Sequence, residues 1–237
     1  KLAKKLKYES AGTVEFLVDD KTGEFWFLEV NTRLQVEHPV TEEVTGKDLV
    51  YEQLRISRGE DLGYSQEDIS WNGSSIEARL YAEDPANDFL PATGTLIAYE
   101  VDENIDARWD TGVKQGSVIG TDFDPMLAKL IVHTESRMES LSLLQKVIKH
   151  SKVYGCENNL DYLELFLEDN RLKAGEVTTS YLDDFAYEPA RIDVVSGGAQ
   201  TTVQNLPGRT GHWSVGVPPS CRQGELSLFC SVREGRE

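Results

Sequence analysis

The run FLEVNTRLQVEHPV, residues 27–40, carries Glu29, Asn31, Arg33, Gln35 and Glu37 at every second position. Extended backbone sends alternate side chains to opposite faces, so this spacing gathers all five on one side of a strand. That side is too charged to be core. Pro39 disfavours helical backbone at His38, which predicts that the row stays extended to its end. A chain holding this run must pair it into a sheet and leave the polar side to meet a ligand or solvent.

The pairing partner lies just upstream. TVEFLV, a DDKTG turn and EFWFLEVN read as a β-hairpin over residues 13–31. Centring the loop on residues 21–23 sets Glu15 opposite Glu29 and Thr13 opposite Asn31. The other face then carries Val14, Phe16 and Val18 against Trp26, Leu28 and Val30, and is predicted to be core. The first residues, KLAKKLKYESAG, read as the end of a helix with its lysines on the wet face, a membrane-binding basic helix being the alternative. The chain does not open with Met, which predicts that its beginning is missing.

A helix is expected from about residue 46 to 58. Thr45 and Asp48 resemble a capping box, Leu49, Val50 and Leu54 recur at helical spacing, and Gly59 sits where a C-terminal glycine belongs. Residues 60–75 are polar and turn-rich, so a first domain is drawn at 1–73. Residues 74–188 read as a second domain with strand-like SIEARLYA, TLIAYEV and MLAKLIVH. Two amphipathic helices come after these strands, marked by Met138, Leu141, Leu144 and Ile148 and then by Leu160, Leu163 and Phe166. Residues 189–198 read as a linker, 199–220 as the Gly/Pro-rich start of a β-rich unit, and 221–237 have no period that places them. The fold class is α+β, without internal repeats.

Composition narrows the partners. Subtracting 41 acidic from 24 basic residues leaves a net charge of −17, a field that repels nucleic acid and anionic membranes. An anionic substrate would need a local cationic pocket. The chain shows neither a membrane-length apolar run nor a signal peptide, and a cytoplasmic location is expected. Cys156, Cys221 and Cys230 have no metal or disulfide spacing and read as reduced thiols. His38 is expected to order its loop, and His133, His150 and His212 to be structural or exposed.

Two carboxylates opposed across strands repel one another, and a divalent cation removes that cost. Magnesium or manganese, completed by substrate phosphates, suits Glu15, Glu29 and the neighbouring Asn31. Glutamates paired with lysines or facing water are the alternative. Arg33, two residues on, offers a fork for a planar oxyanion, Gln35 can orient it, and Glu37 is a candidate general base.

GTVEFL followed by FLEVNTRLQVEHPVTEEVTGKDLVYEQLRI resembles the C-terminal half of the ATP-grasp domain of biotin carboxylases. EARLYAEDP, FLPATGTL and FDPMLAKLIVH resemble that family's C-terminal domain, and the likeness covers roughly residues 1–187. The resemblance implies that Glu15 and Glu29, with Asn31 alongside, hold Mg²⁺ bridging ATP phosphates. It implies that Glu37 deprotonates bicarbonate for attack on the γ-phosphate. Arg33 would hold bicarbonate and steady carboxyphosphate, with Gln35 and the backbone of Val36 in the same anion pocket. Arg79 would stabilise the biotin enolate oxygen; a structural salt bridge is the alternative for that residue. Biotin would arrive on a carrier domain, and a homodimer through the C-terminal domain is expected.

TTVQNLPGRTGHWSVGVPPS is similar to the opening of the carboxyltransferase domain of urea carboxylases and urea amidolyases, which implies urea as the final acceptor and allophanate as product. Acetyl-, propionyl-CoA or pyruvate carboxylation is the alternative. The pattern breaks at Ser220, where Gly-Pro-Met-Asp gives way to CRQGELSLFC, as a frameshift or misread exon boundary would produce. Neither a glycine-rich nucleotide loop nor a biotin-bearing Met-Lys pair is present, since Met126 precedes Leu and Met138 precedes Glu. A non-catalytic remnant acting as a binding module therefore stays open, and the chain by itself is expected to be inactive.

Overall fold

The computed structural model describes residues 2–188 and the backbone of residues 192–196 and 199–203. The chain opens with α1 (Leu2–Leu6), β1 (Thr13–Val18), β2 (Phe25–Asn31), α2 (His38–Thr45) and α3 (Leu49–Ser57). Next come β3 (Ser74–Tyr81), β4 (Glu83–Asp84), β5 (Leu90–Pro91), β6 (Gly94–Thr95), β7 (Ala98–Glu100), β8 (Arg108–Thr111), β9 (Val118–Ile119) and β10 (Met126–Thr134). The chain continues through α4 (Arg137–His150), β11 (Lys152–Tyr154), α5 (Leu160–Glu168), α6 (Asn170–Ala174), β12 (Ile192–Ser196) and β13 (Ala199–Val203). The class is α+β, as expected. Among the described residues, one compact unit comprises 2–77 with 131–144, and the other 78–130 with 145–188.

In the first unit β1 and β2 pair antiparallel with Thr13 opposite Asn31 and Glu15 opposite Glu29, the register expected. A bulge between Glu15 and Phe16 then shifts the pairing, so Phe16 meets Phe27 and Val18 meets Phe25. A bulge inserts a residue and turns the rest of the strand to the other face. The extra residue is Leu28 in β2, so Phe25 and Phe27 turn to the face of Val14 and Phe16, and Phe16 packs edge-on against them, at 5.6 and 6.1 Å between ring centroids. The face predicted to be core is not buried: Val14, Trp26, Leu28 and Val30 keep between 41 and 56% of their surface exposed. Thr13 and Glu15, on the polar face, are half-buried.

The row does not stay extended to its end. β2 stops at Asn31, and His38 is already the first residue of α2. Pro39 sits in the first helical turn, where a missing N–H costs nothing and the fixed φ suits the helix, and this outweighs its restriction of His38. Gly46 ends α2 in the left-handed region at φ 66°, its N–H donating to the Glu42 carbonyl at 2.8 Å. The expected helix begins at Leu49, and its cap is Asp48, whose side chain accepts from the Tyr51 N–H at 2.7 Å. Thr45 instead turns its hydroxyl onto the Thr41 carbonyl, 2.6 Å away. Gly59 closes α3 as expected, with φ 80° and a 2.8 Å bond to the Ile56 carbonyl.

Strands β3, β10 and β8 lie side by side in that order, and the second unit takes from them residues 78–81 of β3, 126–130 of β10 and all of β8. Leu80, Leu96, Leu127, Leu130, Val147 and Val153 are buried there, each stabilising the fold by ~1.5–3 kcal/mol relative to exposure. Leu141, Leu144 and Ile148 of α4 are buried as the stripe predicts, whereas Met138, in the first turn, is 51% exposed. On α5 the stripe buries Leu160, with Tyr162 and Leu167 more deeply buried than Leu163 and Phe166. Tyr162 stacks on Phe166 and meets Phe89, Phe185 and Tyr187 edge-on.

Strand β12 lies inside the stretch expected to be a linker and pairs antiparallel with β13. The remainder of the expected carboxyltransferase start and the tail at 221–237 lie outside the described residues, as do His212, Cys221 and Cys230. Cys156 is a buried free thiol. Among the described residues no helix is long and apolar enough to cross a membrane.

Candidate functional site

The bulge that reverses the aromatic residues leaves Glu15 and Glu29 directly opposed at the end of the hairpin where β2 finishes. Opposed carboxylates need donors or a cation between them. Asn31 supplies a donor to both, with its Nδ2 2.8 Å from Glu15 Oε1 and 2.8 Å from Glu29 Oε1. Gln35 adds a second amide, donating from Nε2 to Glu15 Oε1 at 3.1 Å. Three of the five residues picked out by period-two spacing thus meet Glu15 in one hydrogen-bonded cluster, though Gln35 reaches it from irregular backbone and not from a strand.

Arg33 is exposed on that same segment, and its Nη1 donates to the Leu34 carbonyl at 3.1 Å. Glu37 is the exposed N-cap residue of α2, and its carbonyl accepts from the Val40 N–H at 3.1 Å. Val36, in the turn before it, is half-buried. The turn is braced from below by a residue that the alternation did not single out. Glu42 is 7% exposed; its Oε1 accepts from the Leu49 N–H at 2.8 Å and lies 3.1 Å from His38 Nδ1. One carboxylate ties the start of α2 to the start of α3, which is the ordering role expected of His38. The sequence clue was its spacing four residues from His38.

Arg79 belongs to the second unit, half-buried on β3 between the buried Ala78 and Leu80. In that unit the Glu83 carboxyl is raised, first by burial and then by the charge of Asp124. Burial likewise raises Glu157, with the charges of Asp84 and Asp161 adding to it. Asp110 goes the other way: burial opposes ionisation, but hydrogen bonds and charge from Arg108 and Lys129, at 2.9 and 3.2 Å, hold it below the usual range.

Among the described residues no group of three or more His, Cys, Asp or Glu side chains could hold a metal. The Glu15/Glu29 pair is therefore no closed cage. It fits an ion that takes few carboxylate oxygens and completes its shell with water and phosphate, as magnesium does. A closed zinc site would need three or four protein ligands.

Residues 77–184 match the model for the biotin carboxylase C-terminal domain, and residues 1–65 that for the ATP-binding domain of the carbamoyl-phosphate synthase large chain. The chain belongs to the biotin carboxylase family. A urea amidolyase of Lachancea kluyveri is 48% identical over 215 residues, covering 91% of this chain and 12% of that protein. The urea carboxylase of Kluyveromyces lactis superposes with a TM-score of 0.76 at 47% identity, over 92% of this chain and 19% of that one. The biotin carboxylase domain of 2-oxoglutarate carboxylase from Hydrogenobacter thermophilus, solved with MgADP and bicarbonate, gives a TM-score of 0.73 at 40% identity. It covers 78% of this chain and 42% of that one. The chain thus spans a small part of the longer relatives it matches.

Proposed function

We propose that this chain is part of an enzyme that carboxylates biotin at the expense of ATP and passes the carboxyl group to urea. The observation that carries the reading is the amide-bridged pair Glu15 and Glu29, with Arg33 and Glu37 on the segment after β2. Glu15 and Glu29, with Asn31 beside them, would hold magnesium, which when bound supplies neutralisation of phosphate charge during transfer. Glu37 takes the bicarbonate proton as the bicarbonate oxygen bonds to the γ-phosphorus and the bond to ADP breaks, giving carboxyphosphate. Arg33 meets the charge on that anion with a planar fork, and Gln35 and the Val36 backbone orient it. Arg79 offers a fixed cation to the oxygen of the biotin ureido ring as charge grows there.

Urea as acceptor is supported by the reach of the likeness. The 215 residues aligned with the amidolyase extend beyond the two domain models, the second of which ends at residue 184. The biotin carrier domain, a homodimer through the C-terminal domain, a cytoplasmic location and the division at residue 73 belong to the same reading. The deciding experiment uses the full-length protein, with ADP release measured as bicarbonate, biotin, urea and acyl-CoA are each supplied or withheld. Urea-dependent turnover with none for acyl-CoA is expected; the reverse would assign the chain to an acyl-CoA carboxylase. The 237-residue chain by itself should release no ADP in response to bicarbonate.

A further inference from the structure

Asn159 stands at the N-cap of α5, the place where an asparagine side chain ordinarily accepts a hydrogen bond from its own helix. Here it makes no such bond. The neighbouring Asn158 takes over the duty, its Oδ1 accepting from the Leu160 N–H at 3.1 Å. Asn159, only 7% exposed, turns its amide onto β3. Its Oδ1 accepts from the Tyr81 N–H at 2.8 Å, and its Nδ2 donates to the Arg79 carbonyl at 3.1 Å. Its own backbone N–H donates to the Tyr81 carbonyl at 3.1 Å.

These three bonds fall on one edge of one strand. Residues two apart in a strand point their backbone groups the same way, so the Arg79 carbonyl and both Tyr81 groups share an edge. Among the described residues β3 is the terminal strand of its sheet, with β10 on its other side. Asn159 therefore stands in for a missing neighbour strand at the positions that flank Arg79. The buried Ala78 and Leu80 fix the pleat across the strand, and Asn159 fixes the strand along its free edge.

We propose that Asn159 is a positioning residue for Arg79: it holds the β3 backbone so that the guanidinium is presented in one place. The proposal rests on the reading of Arg79 as the cation that meets charge on biotin. Fixed charge stabilises a transition state only if it need not reorganise, and a small displacement of such a group is costly in rate. Nothing in the residue pattern hints at this link, because Asn159 is 80 residues from Arg79.

The test is a double-mutant cycle in the full-length protein, with Asn159→Ala, Arg79→Ala and the pair. Both biotin carboxylation and the bicarbonate-dependent ATP cleavage that occurs without biotin are measured below the melting temperature of every variant. Asn159→Ala should lower kcat for biotin carboxylation by roughly tenfold or more while leaving the biotin-free reaction within about twofold. In the Arg79→Ala background it should cost less than about a further twofold, as residues acting through one another do. Asn159→Asp keeps an acceptor for Tyr81 but no donor for the Arg79 carbonyl, and should resemble Asn159→Ala. Full additivity, an equal loss in both reactions, or wild-type carboxylation by Asn159→Asp would overturn the proposal. Wild-type carboxylation by Arg79→Ala would instead overturn the reading of Arg79 on which it rests.

Discussion

Glu15 and Glu29 are direct cross-strand partners, and a single amide nitrogen, that of Asn31, lies 2.8 Å from an oxygen of each. Two like charges are thus held in register by one donor. The hairpin bears a local cost to keep them together, and a cation removes that cost.

Neutralising one member should therefore separate stability from function. Glu29→Gln relieves a directly opposed like-charge pair, an effect of ~0.2–1 kcal/mol, so without metal the variant should melt at or slightly above the parent temperature. It should also lose the rise in melting temperature that magnesium and ADP together give the parent, along with ATP cleavage. Thermal melts of the full-length protein with and without magnesium and ADP check both. A variant that keeps its response to magnesium would remove Glu29 from the metal site.

Arg33 and Glu37 lie on the exposed connection between β2 and α2, where the Arg33 guanidinium reaches no further than the Leu34 carbonyl beside it. Arg33→Ala and Glu37→Gln should leave the fold intact, with melting temperatures within a few degrees of the parent, because exposed substitutions change stability by no more than about 0.5 kcal/mol. Bicarbonate-dependent ATP cleavage should fall at least ~100-fold in each, as loss of a general base or an oxyanion clamp does. Circular dichroism beside an ADP-release assay tests the pair, and normal turnover in either variant would remove that residue from the chemistry.

The alternation of polar residues, with the register that the loop of a short hairpin sets, was enough to bring Glu15, Glu29 and Asn31 together, and Gln35 joins them from beyond the strand. It misjudged the burial of the apolar face and gave Phe16 and Val18 the wrong partners, since a bulge at Leu28 leaves no mark in a pattern of period two. It also carried the strand too far. Pro39 is compatible with an extended residue before it and with the first turn of a helix, and only the packing of α2 decides between them. The capping box read from Thr45 and Asp48 put the cap at Thr45, and the structure moves it to Asp48 because Gly46 ends one helix before the next begins. Glu42, apart from its spacing four residues from His38, and Asn159 were not legible as site-ordering residues, because their partners depend on how helices and strands meet.

Glu42 offers a prediction that is independent of activity. Its buried carboxylate accepts from the Leu49 N–H, and Asp48 accepts from the Tyr51 N–H. Asp48→Ala should cost ~1 kcal/mol, the usual loss on deleting a helix cap. Glu42→Ala should cost more, ~1–3 kcal/mol, because it leaves the Leu49 donor without that acceptor in a partly buried position. Glu42→Gln, which keeps an acceptor oxygen, should recover part of the loss. Urea denaturation ranks the three variants, and an Asp48→Ala loss larger than that of Glu42→Ala would show that Glu42 does not link α2 to α3.

Glu157 gives the acid–base prediction. Burial, then the charges of Asp84 and Asp161, raise its carboxyl above the ordinary 4.5. Well below that value the group is protonated in the folded and unfolded chains alike, and folding is not penalised. As pH rises through the unfolded carboxyl range the folded state alone retains the proton, so stability declines until pH passes the raised folded value. Glu157→Gln should therefore raise the melting temperature at about pH 7–8 and leave it unchanged near about pH 3. The same charge acts on Tyr187, whose hydroxyl is pushed up to about 12 by burial first and then by Asp161, Glu157 and Asp84. Glu157→Gln should bring the Tyr187 ionisation to lower pH, read as the difference between ultraviolet titrations with and without Tyr187→Phe. A variant equally stabilised at the acid and the neutral end of that range would show that its effect comes from packing and not from ionisation.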